Sequence, residues 1–312
     1  MKKNVQSLSI GTVGSNALLM GDYHLRADVM ARIKESSIDH LFIADHVSFH
    51  DGFGMDGLIN AATLAAMNPE ITIFLGVYLL ALRHPVPVAR QLSTLSLSAP
   101  GRIIFGVGIG GEDRHEMEVC GVDPATRGRR TNECLKVVRT LLDGKSCSLE
   151  SEFFSIEDAL IKPAPAPQIP IMIGGRSTAA LKRTAVHGDG WLGVWCSPNR
   201  FKQATVEIET MAAGHGRENT KWRHGLQLWV GLDDDKGKAR DILAHEMEAM
   251  YKIPFSAFEK YSPYGSAEEV AEFLLPYVKN GATVLNIKAC AASPEYEIEK
   301  VSKICDMLKS EL

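Results

Sequence analysis

The sequence lacks several features that would place the protein in other functional classes. Lys and Arg number 34 against 38 Asp and Glu, and the net charge of −4 gives no strong positive field to hold nucleic acid or an anionic membrane. No window approaches the roughly 18 apolar residues of a membrane-spanning helix, and the opening residues contain no apolar signal-peptide core. We therefore expect a cytoplasmic protein with neither a nucleic-acid nor a membrane partner.

Motifs of metal sites and of common nucleophiles are also missing. The six cysteines include no C-x-x-C pair and no histidine at metal spacing, which indicates reduced structural thiols. We find no H-x-H on the first strand, no G-x-S-x-G elbow and no P-loop. The acids at 233–235 are explained as helix capping. A metal-dependent barrel hydrolase is kept only as the last alternative, and no residue is predicted to bind a metal.

The sequence does contain a regular alternation of short apolar runs with segments of helical period. Several runs, such as IIFGVGIG, are apolar throughout, which is typical of parallel strands buried on both faces. The predicted strands are Leu8 to Gly11, His40 to Ala44, Ile71 to Leu80, Ile103 to Val107, Pro170 to Ile173, Gly190 to Val194, Leu226 to Gly231 and Thr283 to Ile287. Eight β/α units without a linker predict one (β/α)₈ TIM barrel over residues 1–312. An open doubly wound sheet is the alternative.

Three stretches exceed a minimal barrel. They are 110–130 after strand four, 147–168 around helix four, and 253–265 after strand seven. The second reads as a short hairpin followed by a proline-rich return. Loops after barrel strands build the active site, so we expect such insertions to shape a substrate cavity.

The second predicted strand ends in Asp45 and His46, with His50 four residues on. Histidine is the side chain best able to exchange a proton near neutral pH, and an adjacent carboxylate can orient it. The position at a strand end predicts that Asp45 and His46 lie at the catalytic mouth. The alternative is a solvated loop histidine without a role.

Two glycine-rich turns follow strands four and five. GVGIGG at 106–111 formally matches G-x-G-x-x-G, but four acids follow within seven residues, which disfavours a pyrophosphate there. Gly174, Gly175, Arg176 and Ser177 lead directly into a helix, and such a turn offers backbone and side-chain donors to an anion. Trp191, which starts strand six, is either core or one wall of a cofactor pocket.

Taken in order, these residues resemble the bacterial luciferase-like monooxygenase family, whose members use FMN or the deazaflavin coenzyme F420. The resemblance covers nearly the whole chain. Its markers are Asp45-His46, HPVPVARQLSTLSLSAPGRIIFGVGIGG from His84 to Gly111, Glu116 with GVD at 121–123, Arg129 with Glu133, PIMIGGRS followed by GDGW, and GSAEEVAEFLLPYVKNGAT near the C-terminus.

The resemblance implies a barrel with flavin or deazaflavin across its C-terminal mouth and His46 beside the reacting ring. Glu112 falls near the acid of the F420-dependent dehydrogenases, whereas His50 replaces the tryptophan that several of them carry. A bulge in strand three, often with a non-proline cis peptide, would support the ring around Val77, Tyr78 and Leu79. The implied backbone contacts are at Gly108, Gly110 and Gly111, and the implied phosphate ligands are Gly175, Arg176 and Ser177.

The predicted function is therefore an oxidoreductase that transfers hydride or activates oxygen on a small organic substrate. FMN and coenzyme F420 both stay open as the cofactor, and a separate flavin or F420 reductase is a possible partner. The family also implies a homo-oligomer such as a dimer. The alternative from another class is a non-catalytic flavin-binding barrel whose mouth is closed by the aromatic residues of 253–265.

Overall fold

The structure is a computed structural model that describes residues 7–13, 18 and 20–312. Its strands are β1 (Ser9–Thr12), β2 (His40–Ile43), β3 (His46–Phe49), β4 (Phe53–Met55), β5 (Thr72–Leu79), β6 (Ile103–Gly108), β7 (Cys147–Glu150), β8 (Ser155–Ala159), β9 (Ile171–Gly174), β10 (Gly190–Val194), β11 (Gly225–Leu232), β12 (Tyr264–Gly265) and β13 (Val284–Cys290). The α-helices are α1 (Tyr23–Lys34), α2 (Gly57–Met67), α3 (Pro85–Ser98), α4 (Arg114–Val119), α5 (Arg127–Leu142), α6 (Thr178–His187), α7 (Pro198–Ala213), α8 (Lys236–Tyr251), α9 (Ala267–Lys279) and α10 (Pro294–Ser310).

Eight of these strands close into one parallel barrel. The order around it is β1, β2, β5, β6, β9, β10, β11 and β13, and β13 returns to β1 with Ser9 opposite Val284. The pairing of β10 with β11, which places Leu192 opposite Gly225, closes the remaining gap. The predicted (β/α)₈ barrel is confirmed, and the open doubly wound sheet is excluded because the sheet has no free edge between these strands.

The eight predicted strands agree closely with the barrel strands. The sixth has its predicted bounds, and the eighth continues past Ile287 to Cys290. Their apolar character reflects burial between the barrel interior and the surrounding helices, since Ile10, Leu41 and Ile73 have no exposed surface.

The barrel interior also holds a small polar network near its N-terminal end. The His40 ring has Ser9 Oγ 2.9 Å from Nδ1 and Asn286 Oδ1 2.8 Å from Nε2, and Asn286 donates to Gln227 at 3.2 Å. Burial lowers the pKa of His40 to about 4. Gly11 makes room for this ring, because a Cβ there would lie 2.2 Å from His40 Cδ2. The histidine is therefore held neutral by its surroundings.

The predicted insertions are present, and the third is larger than expected. The segment after β6 contains α4, and the segment after α5 forms the antiparallel hairpin of β7 and β8. Between β11 and β13 the chain forms two helices, α8 and α9, where a regular barrel has one. The insertion after strand seven thus begins before residue 253 and includes α8, whose helical pattern in the sequence resembles that of an ordinary outer helix.

A further hairpin, which the sequence did not indicate, follows the second barrel strand. β3 and β4 pair antiparallel, with His46 opposite Met55 and Phe49 opposite Phe53. Each strand has only three or four residues, too short for an alternating pattern to stand out from the loop.

Cross-links, membrane spans and metal clusters do not contribute to the described part of the chain. The six cysteines are unpaired thiols, as expected, and only Cys120 is not fully buried. Within residues 7–13, 18 and 20–312, no helix is long and apolar enough to cross a membrane, and no three His, Cys, Asp or Glu side chains lie close enough together to hold a metal ion.

Candidate active site

The centre of the candidate site is an ion-pairing contact between His46 and Glu116. Nδ1 of His46, at the start of β3, lies 3.1 Å from Glu116 Oε1, and the same oxygen accepts the backbone N–H of Val47 at 2.7 Å. Burial alone raises the pKa of Glu116, but these hydrogen bonds outweigh it and lower the pKa overall. An ionised carboxylate only accepts, so Nδ1 of His46 carries a hydrogen, and Nε2 is free of partners among the described residues.

The hairpin carries a second imidazole with its own carboxylate. The Phe49 ring lies 4.2 Å from the His46 ring and 3.9 Å from the His50 ring, centroid to centroid. Asp113, which caps α4, accepts the backbone N–H of His50 at 2.8 Å. The insertion after β6 therefore fixes the hairpin after β2 through two acids, Asp113 and Glu116. Sequence reasoning recorded both residues without assigning either a role in the site.

Asp45 differs from its expected catalytic role. Its carboxylate is 1% exposed and is paired with the guanidinium of Arg83, with one N–O distance of 2.8 Å. It also accepts the backbone N–H of Gly57 and of Leu79, each at 2.9 Å. These hydrogen bonds direct the Asp45 carboxylate into the fold, so Asp45 holds the ends of β2, β5 and α2 together.

The bulge expected in strand three is present. The register of β5 against β6 shifts between Leu75 and Tyr78, and the Gly76–Val77 peptide is cis. Val77 is half-buried, and a Cβ on Gly108 or Gly174 would lie 2.4 or 3.2 Å from its methyl groups. Those two glycines therefore make space for Val77, which lies between them, so that close packing against Val77 is their role in this structure.

Tyr78 corrects the expectation that it contacts a cofactor. Its side chain is 1% exposed, packs 5.5 Å from the Phe105 ring and lies under the Arg83 guanidinium at 4.5 Å. A side chain buried among these groups does not line the mouth, whereas the neighbouring Val77 is half-buried. Tyr78 supports the bulge from the opposite side.

The glycine turn after β6 has a cation beside it that the sequence did not suggest. Gly110 and Gly111 have φ values of +64° and +115°, which only glycine adopts readily. A Cβ on Gly111 would lie 3.0 Å from Arg127 Nε, a buried nitrogen with no hydrogen-bond partner in the described chain. Arg127 stands sixteen positions further on, at the start of α5, and only folding brings it to the turn.

The turn after β9 has the predicted form. Gly175 has φ +126°, Ser177 Oγ accepts the Ala180 N–H at 3.2 Å as the N-cap of α6, and Arg176 is exposed. Of the two alternatives for Trp191, the structure supports a core residue and not a pocket wall: it is 2% exposed, packs 5.4 Å from the Phe201 ring, and donates Nε1–H to the Gly175 carbonyl at 2.7 Å. It fixes this turn from within the core.

A cavity of about 400 Å³ opens at the C-terminal ends of the strands. Loops after β2, β6, β9 and β10 contribute to it, and the insertion after β11 contributes the rest. Its lining residues are His50, Glu112, Arg176, Trp195, Met250, Tyr251, Ile253, Ala257, Phe258 and Tyr261. His50 Nε2 lies 3.3 Å from the Met250 carbonyl oxygen, which connects the hairpin to the insertion. Of the site residues predicted from the sequence, Glu112 and Arg176 line this cavity, and Trp195 is a lining residue that the sequence did not suggest.

Three aromatic rings of the cavity contact one another. Tyr251 lies 5.2 Å from Trp195 and 5.1 Å from Phe258, and Trp195 lies 4.8 Å from Phe258. Tyr251 accepts the Trp229 Nε1–H at 3.0 Å, and burial raises the pKa of its hydroxyl to about 12. The hydroxyl is therefore neutral at physiological pH. Of the four Phe and Tyr side chains in 253–265, two line the cavity, Phe258 and Tyr261.

Comparison with known proteins shows a family and a shared fold. The sequence model of a family described as luciferase-like monooxygenase matches residues 11–283. An F420-dependent glucose-6-phosphate dehydrogenase of Kineococcus radiotolerans is 25% identical over 224 residues, which are 68% of this chain and 65% of that protein.

Solved structures match over nearly the full length. An F420-dependent secondary alcohol dehydrogenase, in complex with an F420-acetone adduct, superposes with a TM-score of 0.80 at 18% identity, covering 96% of this chain and 98% of that one. A monooxygenase from Streptomyces bottropensis superposes with a TM-score of 0.76 at 16% identity, covering 98% of both chains. At these identities the likeness concerns the fold.

Proposed function

This chain belongs to the luciferase-like monooxygenase family, and from that premise we propose that it is an F420-dependent oxidoreductase that interconverts a small alcohol and its carbonyl compound. The observation that carries the proposal is the His46–Glu116 contact: a partly exposed imidazole with a carboxylate on Nδ1 and an unused Nε2 suits proton exchange with a hydroxyl group. The F420-dependent dehydrogenase among its relatives supports the choice of cofactor.

The residues at the mouth fit a cofactor with a phosphate group. Gly110 and Gly111 present backbone without side chains, and the buried Arg127 Nε next to Gly111 lacks a partner in the part of the chain described. Arg176 and the N-cap Ser177 precede a ten-residue helix, and the N–H groups of Thr178 and Ala179 have no hydrogen-bond partner among the described residues. Arg127, Arg176 and Ser177 would hold the phosphate, and Val77 would lie under the ring.

When bound, a deazaflavin supplies a two-electron hydride acceptor or donor. The protein itself contributes the proton transfer. As the alcohol C–H bond breaks with its electron pair, the hydroxyl proton passes to His46 Nε2, and the carbonyl forms. Glu116 stabilises the imidazolium that results and keeps Nδ1 protonated throughout. In the reverse direction, His46 returns the proton to the oxygen of the product alcohol.

The proposal is tested by titrating the cofactor-free protein with coenzyme F420 and, separately, with FMN, followed by fluorescence and equilibrium dialysis. We expect F420 to bind and Arg176→Met to weaken it about tenfold, since a charge-assisted contact to phosphate is lost. Arg200→Met is the matched control, because Arg200 begins the neighbouring helix α7 but is paired with Glu207.

Binding of FMN alone would replace this proposal with the second candidate. That candidate is an FMN-dependent monooxygenase, which the family description and the superposition on a monooxygenase favour. Oxygen consumption would then be the assay, and a separate flavin reductase would be the partner to seek. Binding of neither cofactor would contradict both candidates.

A further inference from the structure

The walls of the mouth cavity are mostly flat and apolar. Trp195, Tyr251 and Phe258 form one cluster of touching rings, and Ile253 and Ala257 add aliphatic surface. A cavity of about 400 Å³ lies within the usual size range of small-ligand sites. Surfaces of this kind bind rings well, because they bury large areas and stack at low entropic cost.

The charges of the cavity are few and balanced. Arg176 is its one cationic side chain among the described lining residues, with its guanidinium 5.1 Å from the centre of the Trp195 ring. Glu112 places a negative charge on the same cavity, and neither residue forms an ion pair within the described chain. A sugar phosphate carries two negative charges and several hydroxyl groups, and the one cation of this wall is the residue that would already hold the cofactor phosphate under the proposed function.

One buried donor in the wall is unused. Trp195 Nε1 is inaccessible to solvent and has no hydrogen-bond partner in residues 7–13, 18 and 20–312. The backbone of Trp195 also has φ +46°, in the left-handed region that bulky side chains rarely adopt. Buried donors are nearly always satisfied. Trp195 as a whole is half-buried at the cavity wall, so a small turn of its ring on ligand binding would bring this N–H to an acceptor on the ligand. Strained backbone is typically found at such sites.

From these observations we infer that the cavity selects an aryl alcohol or aryl ketone, with the ring stacked among Trp195, Tyr251 and Phe258 and a ligand oxygen accepting the Trp195 Nε1–H. The reaction of such a ligand rests on the proposed function, whereas its binding in the cavity does not. It also separates this chain from its glucose-6-phosphate dehydrogenase relative, whose named substrate is a sugar phosphate.

The test is equilibrium binding, by calorimetry, of acetophenone and of glucose 6-phosphate to the protein with and without F420. We expect acetophenone to bind measurably and glucose 6-phosphate to bind at least about tenfold more weakly. Trp195→Phe keeps the ring and removes the donor, so acetophenone affinity should fall about tenfold. Trp222→Phe is the control, since Trp222 stacks on His224 at the opposite end of the barrel.

A second variant tests the cavity without touching its buried residues. Ala257 is exposed, and Ala257→Phe should fill the space and abolish acetophenone binding while circular dichroism stays unchanged. Tighter binding of glucose 6-phosphate, or loss of F420 affinity in Trp195→Phe with acetophenone binding intact, would overturn the inference. Failure of F420 to bind would instead contradict the proposed function, because ketone binding to the cofactor-free protein is measured independently.

Discussion

Charged side chains are used differently at the two ends of this barrel. At the N-terminal end of the strands, Arg217 donates to the carbonyls of Ala185 and Gly188 at 2.7 and 2.6 Å, and Asp189 accepts from Arg139 and from the Ile171 N–H. These groups are directed at backbone that would otherwise lack partners where helices end and strands begin.

At the C-terminal end, polar groups keep unused capacity. His46 Nε2 and Trp195 Nε1 lack hydrogen-bond partners among the described residues, and Glu112 and Arg176 face a cavity without an ion pair to any of them. The contrast has one exception at each end, since Asp45 and Arg83 are paired at this end and His224 Nε2 lacks a hydrogen-bond partner among the described residues at the other. The groups that face the cavity are the ones with unused capacity, so we expect ligand binding at this end.

The largest expected effect is at His46. His46→Ala should lower kcat about 10³-fold, the range of general acid–base catalysis, while the F420 dissociation constant changes less than about threefold. F420 absorbance follows turnover and gives kcat, and fluorescence follows binding and gives the dissociation constant. His187→Ala is the comparator from the other end, because His187 lies at the C-terminus of α6. His187→Ala should leave kcat unchanged. An equal loss of kcat in both variants would contradict the difference between the two ends of the barrel.

The next effect is on stability at low pH and comes from His40. Its folded pKa of about 4 lies below the ordinary 6.5, so the unfolded chain binds the proton more tightly between those values. The contribution to stability is complete above pH 6.5 and is lost as pH falls toward 4, by up to about 3 kcal/mol.

Urea unfolding at pH 7, 5.5 and 4.5 measures this loss. His40→Gln should reduce the slope without abolishing it, because burial also lowers the pKa of His187 and of His224 to about 4. The exposed His215→Gln should follow the wild type. If His40→Gln kept the full slope, the buried network would not be its source.

The fold could be predicted from the sequence because strand and helix periods repeat eight times, and each repeat confirms the others. For the site, only the location at the ends of the strands could be predicted, and the side-chain contacts could not. Asp45 and His46 are neighbours in sequence, but in the structure Asp45 pairs with Arg83. His46 contacts Glu116, an acid seventy positions away. The two residues lie between the end of β2 and the start of β3, so the chain places them against different parts of the fold.

Val77 and Tyr78 are likewise neighbours in sequence with different surroundings. Only Val77 packs against Gly108 and Gly174, whereas Tyr78 is buried. Contacts between distant loops could not be predicted at all. Arg127 reaches Gly111 only because α5 starts beside the turn, and no local pattern records that distance. Trp195 had a weak signal, an aromatic residue directly after the sixth strand.

A smaller effect is expected at the stabilising end. Asp189→Asn removes the charge that Arg139 and Arg217 share, at 22–26% exposure of the side chains, and should lower the free energy of unfolding by about 2 kcal/mol. The asparagine can still accept the Ile171 N–H, so the fold should persist. Urea midpoints measure the change, with the exposed Asp234→Asn as control. A loss of kcat at saturating substrate, rather than of stability, would contradict the division between the ends.

The smallest effect concerns Glu116. This acid is as buried as residues of the core, although it contacts His46 at the C-terminal end of the barrel. Glu116→Gln keeps the shape but replaces a charged acceptor of the His46 Nδ1–H with a neutral one. We expect kcat to fall about tenfold, because the imidazolium formed during turnover loses its counter-charge.

Stability should also change with a definite sign. The pKa of Glu116 is lowered in the folded state, so its contribution is present above the ordinary value of 4.5 and is lost as pH falls through the folded value. Wild type and Glu116→Gln should therefore differ most at neutral pH and converge in acid. Glu118→Gln, on the same helix but exposed, is the control. If kcat stayed at the wild-type value while stability fell, Glu116 would belong with Asp189 as a purely structural acid, and the pairing with His46 would carry no catalytic meaning.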